Sequence, residues 1–205
     1  PWIGPPLVPS LAVAADADRV GCNWTSSPGD REYHPVNCVD QVTAQAFCVW
    51  DGGRLPTEAE LELAARGTDG RAWPWGNDAD TDRRPGPLRI CSYRRGPLPC
   101  QSFGTCEVDD PEYGDGVSPS GVWQMVGNVW EWTADTDADY VDPDCWGAMR
   151  RIDPVCDRGD GFQNRSLRGG AWGGSVTMAL YASARLGTDQ RTIDDGNGFR
   201  CVRTR

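Results

Sequence analysis

Gly53-Arg54-Leu55-Pro56-Thr57-Glu58-Ala59-Glu60 is the stretch of this sequence that decides most about its fold. Thr57 and Glu60 have the spacing of a capping box, in which the threonine hydroxyl accepts a backbone N–H and the glutamate bonds back to the N-cap. Gly67 is a suitable end for the helix that follows. Apolar side chains recur at helical spacing after the cap, and we expect them to face the core: Leu61, Ala64 and Ala65.

Another helix is predicted just before this stretch. Asp40 can cap it, because a carboxylate accepts the unpaired backbone N–H groups of a first turn. Gly52 and Gly53 then end it. Its apolar residues recur at helical spacing and predict one buried stripe: Val42, Ala46, Val49 and Trp50.

The rest of the chain has little periodicity. Its 25 glycines and 16 prolines argue against a helical bundle and favour turns and loops on a modest framework. Residues 1–33 are predicted to form an extended lead-in, and residues 135–163 a solvated loop rich in aspartate. A length of 205 residues fits one domain. We therefore expect a single α+β domain over residues 1–205.

Charge and cysteine content narrow the class of function. A formal charge of −10 argues against nucleic acid and against anionic membrane surfaces as partners. No apolar stretch is long enough to insert across a bilayer. Nine cysteines without a zinc-type spacing indicate disulfides, and hence a secreted or periplasmic location. All 20 basic residues are arginine, which suits paired carboxylates, although a GC-rich genome explains most of that bias.

Sequence alone cannot fix which cysteines pair, but local pairings are favoured. Cys100 would then be free or bonded to another chain. The three local pairs are Cys22–Cys38, Cys145–Cys156 and Cys91–Cys106.

Four motifs in order carry a family resemblance. They cover roughly residues 34–203 and resemble the formylglycine-generating enzyme (sulfatase-modifying factor) family. The resemblance implies a C-type-lectin-like fold, with two helices on a small antiparallel sheet and long irregular loops. It also implies a disulfide between Cys48 and Cys201, positions that family members often link. The motifs are the Gly53–Glu60 stretch, Gly127-Asn128-Val129-Trp130-Glu131-Trp132, Arg168-Gly169-Gly170-Ala171-Trp172 and Gly198-Phe199-Arg200-Cys201.

The Gly-Asn-Val-Trp-Glu turn implies a calcium site. By position, the family's ligands fall on Gln124, Gly127, Val129 and Glu131, and a hard cation prefers such oxygen ligands. Gln124 stands where the family usually has Asp or Asn, so a charge is lost and binding should weaken. The alternative is that Glu131 pairs with a buried arginine such as Arg168.

The chemistry that names the family is not expected here. Family oxidases bind copper through two cysteines after the Arg-Gly-Gly motif, and thiolates suit that soft metal. Gly174 and Ala179 occupy the nearest positions, and no cysteine lies between Cys156 and Cys201. Copper-dependent formylglycine-generating activity is therefore not predicted.

The sequence is best interpreted as a non-catalytic binding, structural or assembly module, stabilised by calcium and disulfides. Its partner would be a protein or a glycan bound by the long loops. The family's opening strands are not recognisable before His34, and we expect a separate chain to supply them. The alternative function is a divergent metal-dependent oxidoreductase whose missing ligands come from another chain.

Overall fold

The structure is a computed structural model. It describes residues 21–24, 29–77, 90–91, 104–109, 117–147, 152–159, 163–173 and 181–203. None of the helices in these ranges is both long enough and apolar enough to cross a membrane. The lead-in prediction for residues 1–33 falls largely outside the described residues, as does Cys100.

The first helix, α1, spans Gln41–Trp50. Asp40 caps it as predicted, since its Oδ1 accepts from the Thr43 N–H at 2.7 Å. The predicted buried stripe is wrong: Val42, Val49 and Trp50 are 52%, 59% and 39% exposed.

A different face of α1 is buried, and its contacts explain why. Cys48 is fully buried and joined to Cys201 by a disulfide. One turn earlier Ala44 is buried, and at the start of the helix the Gln41 side-chain amide donates to Thr133 O at 3.2 Å. These residues lie at helical spacing, so the disulfide and the amide turn this face inwards and leave the apolar stripe outside.

The second helix, α2, spans Glu58–Arg66 and has the predicted capping box. Glu60 N–H donates to Thr57 Oγ1 at 3.2 Å, and the Glu60 carboxylate accepts from Thr57 N–H at 2.8 Å. Gly67 caps the end with a φ of +63°. Leu61 and Ala65 pack in a small core with Met125 and Ala182, so the predicted inner face is confirmed.

The sheet has four strands in the order β3-β2-β1-β4. β1 runs antiparallel to β2, and β2 antiparallel to β3, but β4 pairs parallel with β1. The sheet is therefore mixed rather than antiparallel, because residues 190–196 carry the chain from one edge across to the other. A one-turn helix, α3, lies between β1 and β2. Their bounds are β1 Trp130–Thr136, α3 Pro143–Trp146, β2 Asn164–Arg168, β3 Arg185–Asp189 and β4 Asn197–Gly198.

The main core lies between α1 and the sheet. Trp132 of β1 is fully buried there against Leu55 and Leu167. Its indole N–H donates to Val39 O at 2.9 Å, so the buried polar atom of the largest core side chain is satisfied. The α+β prediction is confirmed by this arrangement.

Disulfides connect this core to the loops. Within the described part of the chain no cysteine is free. The structure brings together the pairs that the sequence suggested: Cys22–Cys38, Cys48–Cys201, Cys91–Cys106 and Cys145–Cys156.

Candidate functional site

The turn before β1 has a backbone that few residues adopt. Gln124, Gly127 and Asn128 have φ angles of +54°, +79° and +65°. A Cβ at Gly127 would lie 2.5 Å from Cys91 O, so only glycine fits there. The Asn128 side chain accepts from Cys106 N–H at 3.0 Å and donates to Cys106 O at 3.1 Å. The turn is thereby held rigidly against the Cys91–Cys106 loop.

Glu131 follows this turn on β1 and is only 7% exposed. Its two carboxylate oxygens accept from Nε and Nη2 of Arg200, the Nε contact being 2.6 Å. Nη2 also donates to the carbonyl oxygens of Trp123 and Gln124, at 3.1 and 3.3 Å. Burial lowers the pKa of Arg200, but the charge of Glu131 outweighs this and the pKa is raised overall. Arg200 therefore stays protonated.

Glu131 thus pairs with an arginine, as the alternative predicted, but that arginine is Arg200 and not Arg168. Arg168 lies next to Glu131 across the β1–β2 pair. Its guanidinium points instead to Glu58 and Glu62, at 3.2 and 2.7 Å. Directly opposed residues share a face of the sheet, but each of these side chains binds another partner, Glu131 to Arg200 and Arg168 to Glu58 and Glu62.

The four predicted calcium ligands lie together in this turn and offer only oxygen. Gln124 is 6% exposed, and its Oε1 is buried without a hydrogen-bond partner among the described residues. Such an acceptor suits a cation, so Gln124, Gly127, Val129 and Glu131 fit calcium by donor type. No group of three or more His, Cys, Asp or Glu side chains in the described ranges could hold a metal ion. A site here would therefore depend on amide and main-chain oxygens.

Charge limits how strongly this site could bind calcium. Glu131 is the one carboxylate of the set, and Arg200 neutralises it at hydrogen-bond distance. Two unit charges 4 Å apart interact with about 4 kcal/mol at an effective dielectric constant of 20. The repulsion between Arg200 and a divalent ion therefore offsets a large part of the attraction from Glu131. Calcium stays a prediction, and the geometry favours weak binding.

An open groove of about 550 Å³ lies over this turn. Gln124, Glu131 and Arg200 are among the residues that line it. Its walls are mostly apolar and come from five separate parts of the chain: Pro35 and Val36, Phe47 of α1, Val108, Trp123 and Phe199. Phe47 and Phe199 pack edge to face with ring centroids 5.4 Å apart. The volume is in the range of small-ligand sites.

Two further polar residues, His34 and Asp109, also line this groove. The His34 ring nitrogen Nδ1 lies 2.9 Å from Thr105 Oγ1. Burial lowers the pKa of His34, with opposing contributions from nearby charges, so the imidazole is neutral at pH 7. His34 thus belongs both to the framework, through Thr105, and to the groove wall.

A second polar cluster lies around Glu58 and Arg168. Both side chains are almost fully buried. Arg168 Nη2 donates to Tyr140 OH at 2.8 Å, and Arg185 Nη2 contacts Glu58 and Asp137 at 3.0 and 2.8 Å. Burial raises the pKa of Tyr140 to about 12, so its hydroxyl stays protonated at neutral pH. Arginine-rich composition predicted paired carboxylates in general, but no motif marked these residues.

Asp135 corrects the prediction of a solvated acidic loop. It lies inside β1, is fully buried, and accepts from the Glu58 and Cys156 N–H groups, each at 2.8 Å. Burial raises the pKa of its carboxyl to about 6. Asp142 is also held, because it pairs with Arg158 at 2.8 Å. The loop prediction failed because β1 continues through Thr136, into the acidic run.

The fold and site define a class of domain: a small mixed sheet with few helices, whose disulfide-braced loops surround the turn before β1. The chain belongs to the sulfatase-modifying factor family, since the profile of the sulfatase-modifying factor enzyme 1-like domain (FGE-sulfatase) matches residues 13–205. Gly174 and Ala179, where that family's oxidases carry cysteines, lie outside the described residues.

Relatives with different names match at similar identity. "Inactive C-alpha-formylglycine-generating enzyme 2" of Bos taurus is 33% identical over 183 residues, covering 82% of this chain and 50% of that protein. "Formylglycine-generating enzyme" of Streptomyces coelicolor is 32% identical over 196 residues, covering 89% of this chain and 58% of that protein. The chain thus spans about half the length of these relatives.

Solved structures support the fold. The structure of PvdO from Pseudomonas aeruginosa superposes with a TM-score of 0.64 at 20% identity. It covers 86% of this chain, which in turn covers 64% of PvdO. At that identity the likeness concerns the fold alone.

Proposed function

We propose that this domain is a non-catalytic binding module of the sulfatase-modifying factor family. The observation that carries the proposal is the groove over the Glu131–Arg200 pair. Its walls come from separate segments that disulfides and buried hydrogen bonds hold in place. A preformed, mostly apolar cleft with a few placed polar groups is the usual form of a binding site. The partner is a protein or a glycan.

An extracytoplasmic location, secreted or periplasmic, follows from the same proposal. The described part of the chain has four disulfides, of which three are local and one joins residues 153 positions apart. Disulfides of this kind form and persist in oxidising compartments. One of the named relatives is called an enzyme and another is called inactive, so the relatives do not decide whether this chain is catalytic. That question depends on the residues of the chain itself.

The residues argue against copper oxidation. Gly174 and Ala179 have no side-chain ligand for copper, and the sequence between Cys156 and Cys201 holds no other cysteine. Copper in a family oxidase would need soft thiolate ligands. The divergent oxidoreductase remains the second candidate function, since ligands could come from another chain.

Calcium would act in this module as a stabiliser of the turn before β1. Gln124 Oε1, the Gly127 and Val129 carbonyl oxygens and Glu131 would hold it, and its charge would organise oxygen atoms that otherwise repel one another. Bound calcium would stabilise the fold by about 2.7 kcal/mol at a hundredfold excess over its dissociation constant.

An assembly role is supported by a specific surface. Val42, Val49 and Trp50 form the exposed apolar stripe on α1, and Phe47, one residue from that stripe, lines the groove. We propose that a separate chain covers this stripe. Replacement of Val49 and Trp50 by Ser should then reduce the amount of complex that this domain forms with the separate chain. Size-exclusion chromatography with light scattering measures the complex, and the thermal midpoint of the domain alone should not fall.

Metal content and oxygen uptake test the catalytic question. The purified protein, incubated with copper and a cysteine-containing peptide, should retain no stoichiometric copper and consume oxygen no faster than the same copper and peptide without protein. Inductively coupled plasma mass spectrometry and an oxygen electrode measure the two quantities. Retention of about one copper or iron per chain, together with peptide-dependent oxygen uptake, would establish the oxidoreductase instead.

A further inference from the structure

Arg200 contacts the oxygen atoms of the turn before β1 in the way that a metal ion would. Its Nη2 donates to Glu131 and to the main-chain oxygens of Trp123 and Gln124, the last two at 3.1 and 3.3 Å. Its Nε donates to the second carboxylate oxygen of Glu131 at 2.6 Å. One positive group thus gathers four oxygen atoms from the two sides of the turn.

These oxygen atoms need a positive partner because the turn holds them close together. The Gln124 backbone is in the left-handed region, at a φ of +54°. Asn128 fixes the turn through its two hydrogen bonds to Cys106. Glu131 is only 7% exposed, so water replaces a lost cation poorly. A buried carboxylate that loses its partner is costly, and removal of the guanidinium would leave such a carboxylate here.

The backbone of Arg200 is held in place independently of these contacts. The next residue, Cys201, is joined to Cys48 of α1 by a disulfide. Val202 then exchanges two backbone hydrogen bonds with Arg54, at 2.9 and 3.0 Å. The guanidinium is therefore presented to the turn by a fixed segment, and little conformational freedom is lost when it binds there.

We propose that Arg200 is an internal cation that takes the place of calcium at this turn, so that the guanidinium and the ion exclude each other. Both carboxylate oxygens of Glu131 are engaged by Arg200, and two positive groups at one carboxylate repel. Calcium therefore binds only when the guanidinium leaves, and the turn keeps its structure without the ion. The identity of the competing ion rests on the calcium role proposed above, whereas the role of Arg200 rests on its contacts.

An ordinary ion pair would not produce this exchange, and Arg203 provides the comparison. Its Nη2 donates to the Oδ2 and the main-chain oxygen of Asp51, at 2.7 and 2.9 Å, but its side chain is 64% exposed. Water can replace that guanidinium, and its acceptors belong to a single residue. Removal of Arg200 instead leaves two carbonyl oxygens and a buried carboxylate around one position, and a hard cation prefers such oxygen ligands.

The test compares the wild type, Arg200→Met and the control Arg203→Met, each as the whole chain. Calcium affinity is measured by calorimetric titration after removal of metal ions with EDTA, and thermal midpoints are measured in EDTA and in calcium. Arg200→Met keeps an unbranched apolar stem but removes the charge, so it should bind calcium at least tenfold more tightly than the wild type. Its midpoint should fall in EDTA and recover in calcium. Arg203→Met should have the calcium affinity of the wild type and no such recovery.

Two further variants decide the matter if Arg200→Met does not fold. Arg200→Lys keeps the charge but can bond Glu131 from only one nitrogen, so it should bind calcium more tightly than the wild type. Equal affinity of these two proteins would overturn the proposal. The double variant Glu131→Gln/Arg200→Met lacks both charges, and it should fold in EDTA without any gain in calcium affinity.

The outcomes separate this proposal from the calcium role on which it partly rests. Equal calcium affinity of Arg200→Met and the wild type would overturn the mutual exclusion and leave the calcium site intact. An Arg200→Met midpoint that does not fall in EDTA would overturn the role of Arg200 as the internal cation. A fall in EDTA without recovery in calcium would overturn this proposal together with the calcium site. None of these results bears on the binding function of the groove, which is tested separately.

Discussion

Removal of the Cys48–Cys201 disulfide should destabilise the domain more than removal of any other described bridge. The bond closes a loop of 153 residues. The chain-entropy relation gives about 5 kcal/mol for a loop of this length at 25 °C. Bridges Cys91–Cys106 and Cys145–Cys156 lie inside that loop and shorten it by only 15 and 11 positions. Because the dependence on length is logarithmic, the value stays at about 5 kcal/mol.

A second bridge provides the matched control. Cys22–Cys38 closes a loop of 16 residues, for which the same relation gives about 3 kcal/mol. Both bridges are largely buried, so replacing each pair by alanine removes similar packing. The difference between the two double variants, about 2 kcal/mol, therefore isolates the effect of loop length.

Urea denaturation of the two double variants and the unaltered chain measures this difference. The free energy of unfolding comes from linear extrapolation, and the m-value should rise in the Cys48→Ala/Cys201→Ala variant because its unfolded state expands. A loss no larger than that of the Cys22→Ala/Cys38→Ala control would refute the reasoning. It would mean that the denatured chain keeps α1 and the C-terminal segment close together without the bond.

Three further predictions concern single side chains. Thr57→Ala removes the hydroxyl of the capping box and should lower the free energy of unfolding by about 1 kcal/mol in urea, whereas Thr57→Ser should lose less. The pKa of Asp135 is raised to about 6, above its unfolded value, so its contribution to stability is fully present below about pH 4 and is lost as the pH rises through 6. The slope in that window is at most about 1.4 kcal/mol per pH unit. The thermal midpoint of the wild type should therefore fall relative to that of Asp135→Asn as the pH rises from about 4 to 6, and parallel curves would contradict the assignment. Gln124→Asp adds a carboxylate beside the turn, so calorimetric titration should show at least tenfold tighter calcium binding, and unchanged heats would argue against a calcium site there.

Local signals in the sequence were the reliable ones. The capping box at Thr57 and the cap at Asp40 depend on contacts within one helical turn, and both form as predicted. The inner face of α1 could not be read from its own apolar residues. It is set by Cys48 and by Gln41, whose partners, Cys201 and Thr133, are far away in the sequence. Helical periodicity finds an apolar stripe but does not say what covers it.

In the candidate site, too, the local features could be predicted from the sequence and the long-range contacts could not. The turn and its oxygen atoms were found from one motif, since they are contiguous. The partner of Glu131 was not, because Arg200 reaches it from the final strand region across 69 positions. The groove draws its walls from five separated segments, so no window of sequence contains it. The parallel pairing of β4 also depends on a crossover that neither strand encodes by itself.

The segment around Arg200 and Cys201 completes the core, so it determines when the newly synthesised chain can fold. This segment pairs with β1, bonds to Glu131 and locks α1, so the core cannot assemble before synthesis has passed residue 201. Until then Cys48 carries a reactive thiol beside an uncovered apolar surface. In that state Cys48 can form a disulfide with a non-native cysteine, so the order in which the C-terminal segment and the disulfides form matters for correct folding.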